Sequence, residues 1–146
     1  MERKEFLIAC GKLCIGGVFA STLLNSCMST RYAVSTLENN ILTVSIDEFF
    51  ENPGRTGRVR KYILLKTEKI VTPICVYRLN DNEYSAVLML CTHNGCELNP
   101  NGDFLVCPCH GSEFSNKGKV QNPPAEIDLK TYTITKDEKN IYIHLA

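Results

Sequence analysis

The sequence predicts an all-β domain of antiparallel sheets that carries a metal site in two loops. From Ile41 to Leu145 the chain alternates between short runs of β-branched and apolar residues and turn signals built from Asn, Asp, Pro and Gly. Between two of those runs lie two cysteine/histidine clusters, Cys91-Thr92-His93-Asn94-Gly95-Cys96 and Cys107-Pro108-Cys109-His110-Gly111-Ser112. At 146 residues, 44% of them hydrophobic, the chain can bury one ordinary core. Sixteen basic residues balance sixteen acidic ones. No cationic field is left for a polyanion, so nucleic acid is excluded as a partner.

Residues 1–26 read as a signal peptide or a retained membrane anchor and stand outside the fold. Arg3, Lys4 and Lys12 give a basic start, and Leu13 to Leu24 is an apolar run of signal-peptide length, short of the ~20 residues that span a bilayer. With Lys12 tolerated, Phe6 to Leu24 can instead serve as an uncut anchor. Leu24-Asn25-Ser26-Cys27 resembles a bacterial lipobox, which makes Cys27 the lipidated N-terminus of the mature chain. Arg3-Lys4-Glu5-Phe6-Leu7 resembles a twin-arginine export signal with lysine in the second place, and ordinary unfolded export remains the alternative. Either route puts the protein on the outer, periplasmic side of a bacterial cell membrane. Residues 27–40, polar and rich in Ser, Thr and Asn, read as a tether.

The β region follows from residue 41 to 146. Ile41 to Ile46 is a strand, Asp47 to Glu51 one helical turn, and Asn52-Pro53-Gly54 a break. Arg58 to Lys66 and Ile70 to Leu79 are strands, the second with Pro73 marking an edge or a strand start. Asn80-Asp81-Asn82 is a turn, and Tyr84 to Leu90 leads into the first cluster. Thr131 to Thr135 and Ile141 to Leu145 close the domain as a hairpin. Arg55, Arg58, Arg60 and Lys61 form a small basic group that reads as a solvated face. Cys75, between Ile74 and Val76, reads as a buried thiol, and His144 as an exposed strand residue.

Each cluster offers one thiolate and one imidazole at ligand spacing, Cys91 with His93 and Cys107 with His110, which together make a Cys2His2 set. Cys96 and Cys109 are left over, one per cluster. If both loops converge on one centre, these two come close enough for a disulfide. A structural zinc site uses the same donor types but usually pairs cysteines with cysteines and histidines with histidines. Here each cluster is mixed, and a zinc module leaves Cys96 and Cys109 unexplained.

The double motif C-T-H-x-G-C and C-P-C-H-G-S resembles the Rieske 2Fe-2S proteins, in particular the disulfide-bearing branch found in quinol-oxidising cytochrome bc complexes. The resemblance extends more loosely over residues 70 to 133, through a loop, Asn122-Pro123-Pro124-Ala125, similar to the proline loop that covers the family's cluster. It implies a β-sandwich with a small cluster-binding subdomain of two loops at about 88–125, and one 2Fe-2S cluster per chain. Cys91 and Cys107 would hold one iron and His93 and His110 the other, with Cys96 and Cys109 as the disulfide. Histidine ligation raises the potential above that of an all-cysteine cluster.

By the same resemblance the chain is a one-electron carrier, an oxidoreductase subunit rather than a stand-alone catalyst. It would take electrons from quinol through His110 and pass them to a cytochrome-type acceptor, within a membrane complex that contains a cytochrome b. The family's serine and tyrosine after the second cluster, which donate hydrogen bonds to cluster sulfurs, correspond to Ser112 and Phe114. Because Phe114 has no hydroxyl, the potential should lie low, as suits menaquinol. Two rival readings are the small electron-transfer subunit of a periplasmic, arsenite oxidase-like oxidase, and a zinc-stabilised surface lipoprotein that binds a partner.

Overall fold

The structure, a computed structural model, describes residues 32–52 and 54–145. Seven strands come before the cluster loops: β1 (Ser35–Glu38), β2 (Ile41–Ser45), β3 (Phe50–Asn52), β4 (Thr56–Val59), β5 (Tyr62–Thr67), β6 (Ile70–Arg78) and β7 (Tyr84–Leu88). The insert contributes β8 (Asn99–Asn101), β9 (Phe104–Val106), β10 (Glu113–Ser115) and β11 (Val120–Asn122), and β12 (Thr131–Lys136) and β13 (Asn140–His144) finish the chain. Among the described residues the helical element is one 3-10 turn, Ile46–Phe49, capped by the Ser45 side chain on the Asp47 amide. The antiparallel all-β class is the expected one.

Seven strands form one sheet in the order β1-β2-β13-β12-β7-β6-β5. The sheet curls until its two ends meet, where the Ala33 amide donates to the Leu64 carbonyl at 2.8 Å. Its inner face buries Leu42, Val44, Phe49, Ile63, Leu65, Ile74, Val76, Ile141 and Ile143. The outer face of β5 to β7 is buried as well. There Leu64, Cys75, Tyr77 and Val87 pack with Leu98, Leu105, Phe114 and Leu129 from the insert and the segment after it. Burial on both faces explains why Ile74 to Tyr77 is a continuous apolar run rather than an alternating one.

The insert is itself a four-stranded sheet, β11-β10-β9-β8. It is fastened along the outer face by the Tyr77 hydroxyl on the Phe104 carbonyl (3.0 Å), by Lys61 on Asp103 (2.5 Å), and by Ser85 on the Asn116 carbonyl. Where the insert returns, Gly118 has φ +78°, and a Cβ there would lie 3.2–3.3 Å from Thr131, Leu129 and Val87 side-chain atoms, so only glycine fits without displacement.

Four expectations are corrected. Residues 27–40 are not all tether, because Ser35–Glu38 pairs with β2 and Ala33 is buried. The expected strand from Arg58 to Lys66 is two strands in different sheets. Arg60 marks the break between them, its amide donating to the Phe49 carbonyl and its guanidinium to the Glu48 and Phe50 carbonyls. The helical turn begins one residue earlier than expected and ends at Phe49. Pro73 lies inside β6, a strand flanked by β5 and β7. It is tolerated because the β5 register slips between Leu65 and Thr67, a bulge that requires no Pro73 amide, while its carbonyl still accepts from Met89.

Among the described residues no helix is long and apolar enough to cross a membrane. The signal or anchor over 1–26 and the lipidation at Cys27 lie outside the described residues.

Candidate metal centre

Strand β7 delivers the chain to the first loop, which is held at its base by the Met89 amide on Pro73 and the Leu98 amide on Met89. The Cys91 amide then donates to the Cys96 carbonyl and the Gly95 amide to the Cys91 carbonyl, both at 2.8 Å. The second loop, between β9 and β10, repeats this plan. Its Cys107 amide donates to the Ser112 carbonyl at 2.8 Å, and its Gly111 amide to the Cys107 carbonyl at 3.1 Å. Both turns pass through a glycine four residues after the cysteine, Gly95 at φ +72° and Gly111 at φ +78°, a region that side-chain-bearing residues rarely adopt. The two cysteine/histidine clusters thus form two equivalent loops.

A disulfide joins the loops, Cys96 to Cys109, with Cα atoms 6.6 Å apart. Cys91 and Cys107 are free thiols, each 2% exposed, whereas His93 and His110 are exposed, their ring centroids 5.2 Å apart and nearly perpendicular. The sulfurs of Cys96, Cys107 and Cys109 lie within 4.8 Å of one another. Since two of them are bonded to each other, this triad is the disulfide lying against the Cys107 thiol, not three donors for an ion. Burial raises the Cys107 thiol pKa, but hydrogen bonds from the Cys109 and His110 amides and from Cys91 outweigh it and hold the thiol below its ordinary value. Cys107 is thus predisposed to the thiolate form.

A third loop covers the pair. The buried Ser112 hydroxyl accepts from the Ala125 amide at 3.0 Å, and the Thr92 hydroxyl donates to the Ile127 carbonyl at 2.6 Å. The covering segment is the expected Asn122-Pro123-Pro124-Ala125, with a cis bond between the two prolines. Phe114 is fully buried among the residues that surround the thiols.

Cys75 is buried in β6, away from both loops in sequence, and burial pushes its thiol pKa far up. His144 is partly buried, with Nε2 2.9 Å from the Thr135 hydroxyl. The basic group is dispersed: Arg55 binds Asp47 and the Glu138 carbonyl, Lys61 binds Asp103, and Arg60 binds carbonyls. Thr92 was missed as a fastening of the covering loop, since a lone hydroxyl carries no pairing signal in sequence.

A family model for the Rieske [2Fe-2S] domain matches residues 55–133, just over half of the chain. The chain belongs to the Rieske [2Fe-2S] family. Among curated Rieske relatives it is 29% identical over 82 residues to the cytochrome b6-f complex iron-sulfur subunit of Chlorobaculum tepidum, covering 49% of this chain and 45% of that one. It is 39% identical over 66 residues to the cytochrome b-c1 complex Rieske-3 subunit of Nicotiana tabacum, covering 43% and 25%. The chain thus spans less than half the length of these curated relatives. Among solved structures it is 40% identical to the plasma membrane Rieske protein PetC3 of Synechocystis PCC 6803, covering 57% of this chain and 85% of that one, with a TM-score of 0.50.

The Rieske family's cofactor is a [2Fe-2S] cluster, and this chain's donors fit it. Two thiols are held on the buried side and two imidazoles on the exposed side, and the remaining two cysteines are consumed by the disulfide. Zinc is set aside by the family match together with this pairing.

Proposed function

We propose that the chain is a membrane-attached one-electron carrier that accepts electrons from quinol and passes them to a cytochrome-type protein. The observation that carries the reading is the pair of equivalent, disulfide-joined loops with buried thiols beneath exposed imidazoles. Cys91 and Cys107 would hold one iron and His93 and His110 the other. Bound there, the cluster supplies reversible one-electron chemistry. Each imidazole would bind iron through one nitrogen and keep the other for a proton, so His93 and His110 would link electron uptake to proton uptake. His110 would take the quinol hydroxyl proton. Buried neighbours such as Leu98, Leu105 and Phe114 keep water from the thiol side. Membrane attachment rests on residues 1–26 and Cys27, and partnership with a cytochrome b rests on the bc-type relatives.

Ser112 and Phe114 tune the site. The Ser112 oxygen accepts from Ala125, so its own proton would be free to hydrogen-bond a sulfur of the bound cluster. Phe114 has no proton to give. A hydrogen bond worth about 1.4 kcal/mol more to the reduced state corresponds to roughly 60 mV for one electron. Anaerobic mixing of the oxidised full chain with a water-soluble menaquinol analogue should therefore bleach its visible absorbance, and Phe114→Tyr should raise the midpoint potential by about 60 mV. A chain reduced by dithionite but never by the quinol would remove quinol as donor. An unchanged or lower potential in Phe114→Tyr would remove the tuning account.

A further inference from the structure

On the reading of the chain as an electron carrier, its redox partner must reach His93 and His110, and the charge around them describes the surface that partner brings. Ion pairs neutralise many carboxylates elsewhere: Asp47 with Arg55, Asp81 with Arg78, Asp103 with Lys61, Glu83 with Lys117, and Asp128 with Lys119. The tip differs. Segments 90–98, 107–113 and 121–127 contain Glu97, Glu113 and Glu126 and no lysine or arginine. None of these three carboxylates makes an ion pair with a described residue.

Each carboxylate directly follows a residue that fastens the tip: Cys96 of the disulfide, Ser112 on the Ala125 amide, and Ala125 itself. Their backbone positions are therefore tied to the two cluster loops and the segment that covers them. Glu97 and Glu126 are exposed and Glu113 is half-buried. The same segments expose two apolar side chains, Leu90 at 38% and Ile127 at 69%.

We infer that the partner docking on this tip is an electron-transfer protein whose cofactor edge is ringed by lysine or arginine, with a small apolar contact at Leu90 and Ile127. Three unneutralised negative charges around an electron port steer a cationic surface toward it and repel an anionic one, whether a lipid surface or an acidic protein. The chain as a whole has a formal net charge of zero, so the attraction comes from the tip and not from the molecule's overall charge.

The test is stopped-flow electron transfer from the reduced, cluster-bearing full chain to two c-type cytochromes, one with a lysine-ringed haem edge and one acidic, at increasing ionic strength. With the lysine-ringed acceptor the second-order rate should fall steeply as salt screens the tip. Glu97→Gln, Glu113→Gln and Glu126→Gln together should lower the low-salt rate by roughly tenfold and flatten its salt dependence. Glu138→Gln, in the β12–β13 turn at the opposite end of the sheet, should leave both unchanged. Midpoint potentials of the variants separate docking from driving force. A rate indifferent to salt, equal rates with both acceptors, or a triple variant that keeps the full salt dependence would overturn the inference while leaving the electron carrier intact. A chain with no redox-active cluster would overturn the carrier reading and this inference with it.

Discussion

Cys107→Ser should yield a colourless chain with no paramagnetic signal on reduction. The side chain is almost without solvent exposure, its amide is tied to the Ser112 carbonyl, and hydrogen bonds from the Cys109 and His110 amides converge on its sulfur. Serine fills nearly the same space but offers a hard, poorly ionised oxygen where iron–sulfur chemistry needs a soft thiolate. The sheet should survive, because its inner core from Leu42 to Ile143 contains no residue of the two loops. Far-ultraviolet circular dichroism should therefore stay β-type, while the thermal midpoint falls by the share of stability that cluster binding contributes. Cys75→Ala is the contrasting variant. It alters a buried thiol in β6 and should cost core stability, yet keep the signal. A full cluster signal in Cys107→Ser would strike Cys107 from the ligands.

Replacing both Cys96 and Cys109 by serine should have the second-largest effect, on the stability of the chain and on retention of the cluster. In the chain-entropy account, closing a loop of this size is worth about 3 kcal/mol. That constraint acts on the unfolded chain, which no longer holds a cluster, so cluster binding does not offset it. In the folded, loaded protein the disulfide would in addition hold together the two loops that supply the proposed ligands. Chemical denaturation of the apo chain should show the loss of about 3 kcal/mol. Denaturation of the loaded chain should show a loss at least as large, and its cluster should be released several-fold faster to an iron chelator. An unchanged release rate in the double variant would mean that the disulfide supports the fold generally rather than holding the loops for the cluster.

The site was more legible in sequence than the fold around it. Cys91, His93, Cys107 and His110, the proposed ligands, stand out in sequence because metal donors are rare residue types at fixed spacing, whereas the positive φ of Gly95 and Gly111 is a finding of the structure. The disulfide followed from the same pattern. Strands β6 and β12 were legible from their long stretches of apolar and β-branched residues, and β13 from the apolar alternation Ile141-Tyr142-Ile143-His144-Leu145. Strands β8 to β11 were not, since three residues each give too little alternation to distinguish from loop. Strand β1 was hidden by polar composition. Ser-Thr-Leu-Glu lies on an outer strand, where Leu37 is its one apolar side chain and pairing with β2 supplies the order. Pro73 misled because the bulge that admits it is a property of the partner strand, not of its own sequence.

The most direct measurement is the electron paramagnetic resonance spectrum of the reduced full chain, recorded alongside its midpoint potential as a function of pH. Two thiolates on one iron and two imidazoles on the other require a rhombic signal of low average g. They also link reduction to proton uptake, so the potential should fall with rising pH. A signal of the all-cysteine kind with a pH-independent potential, or a silent protein that contains zinc, would contradict the account.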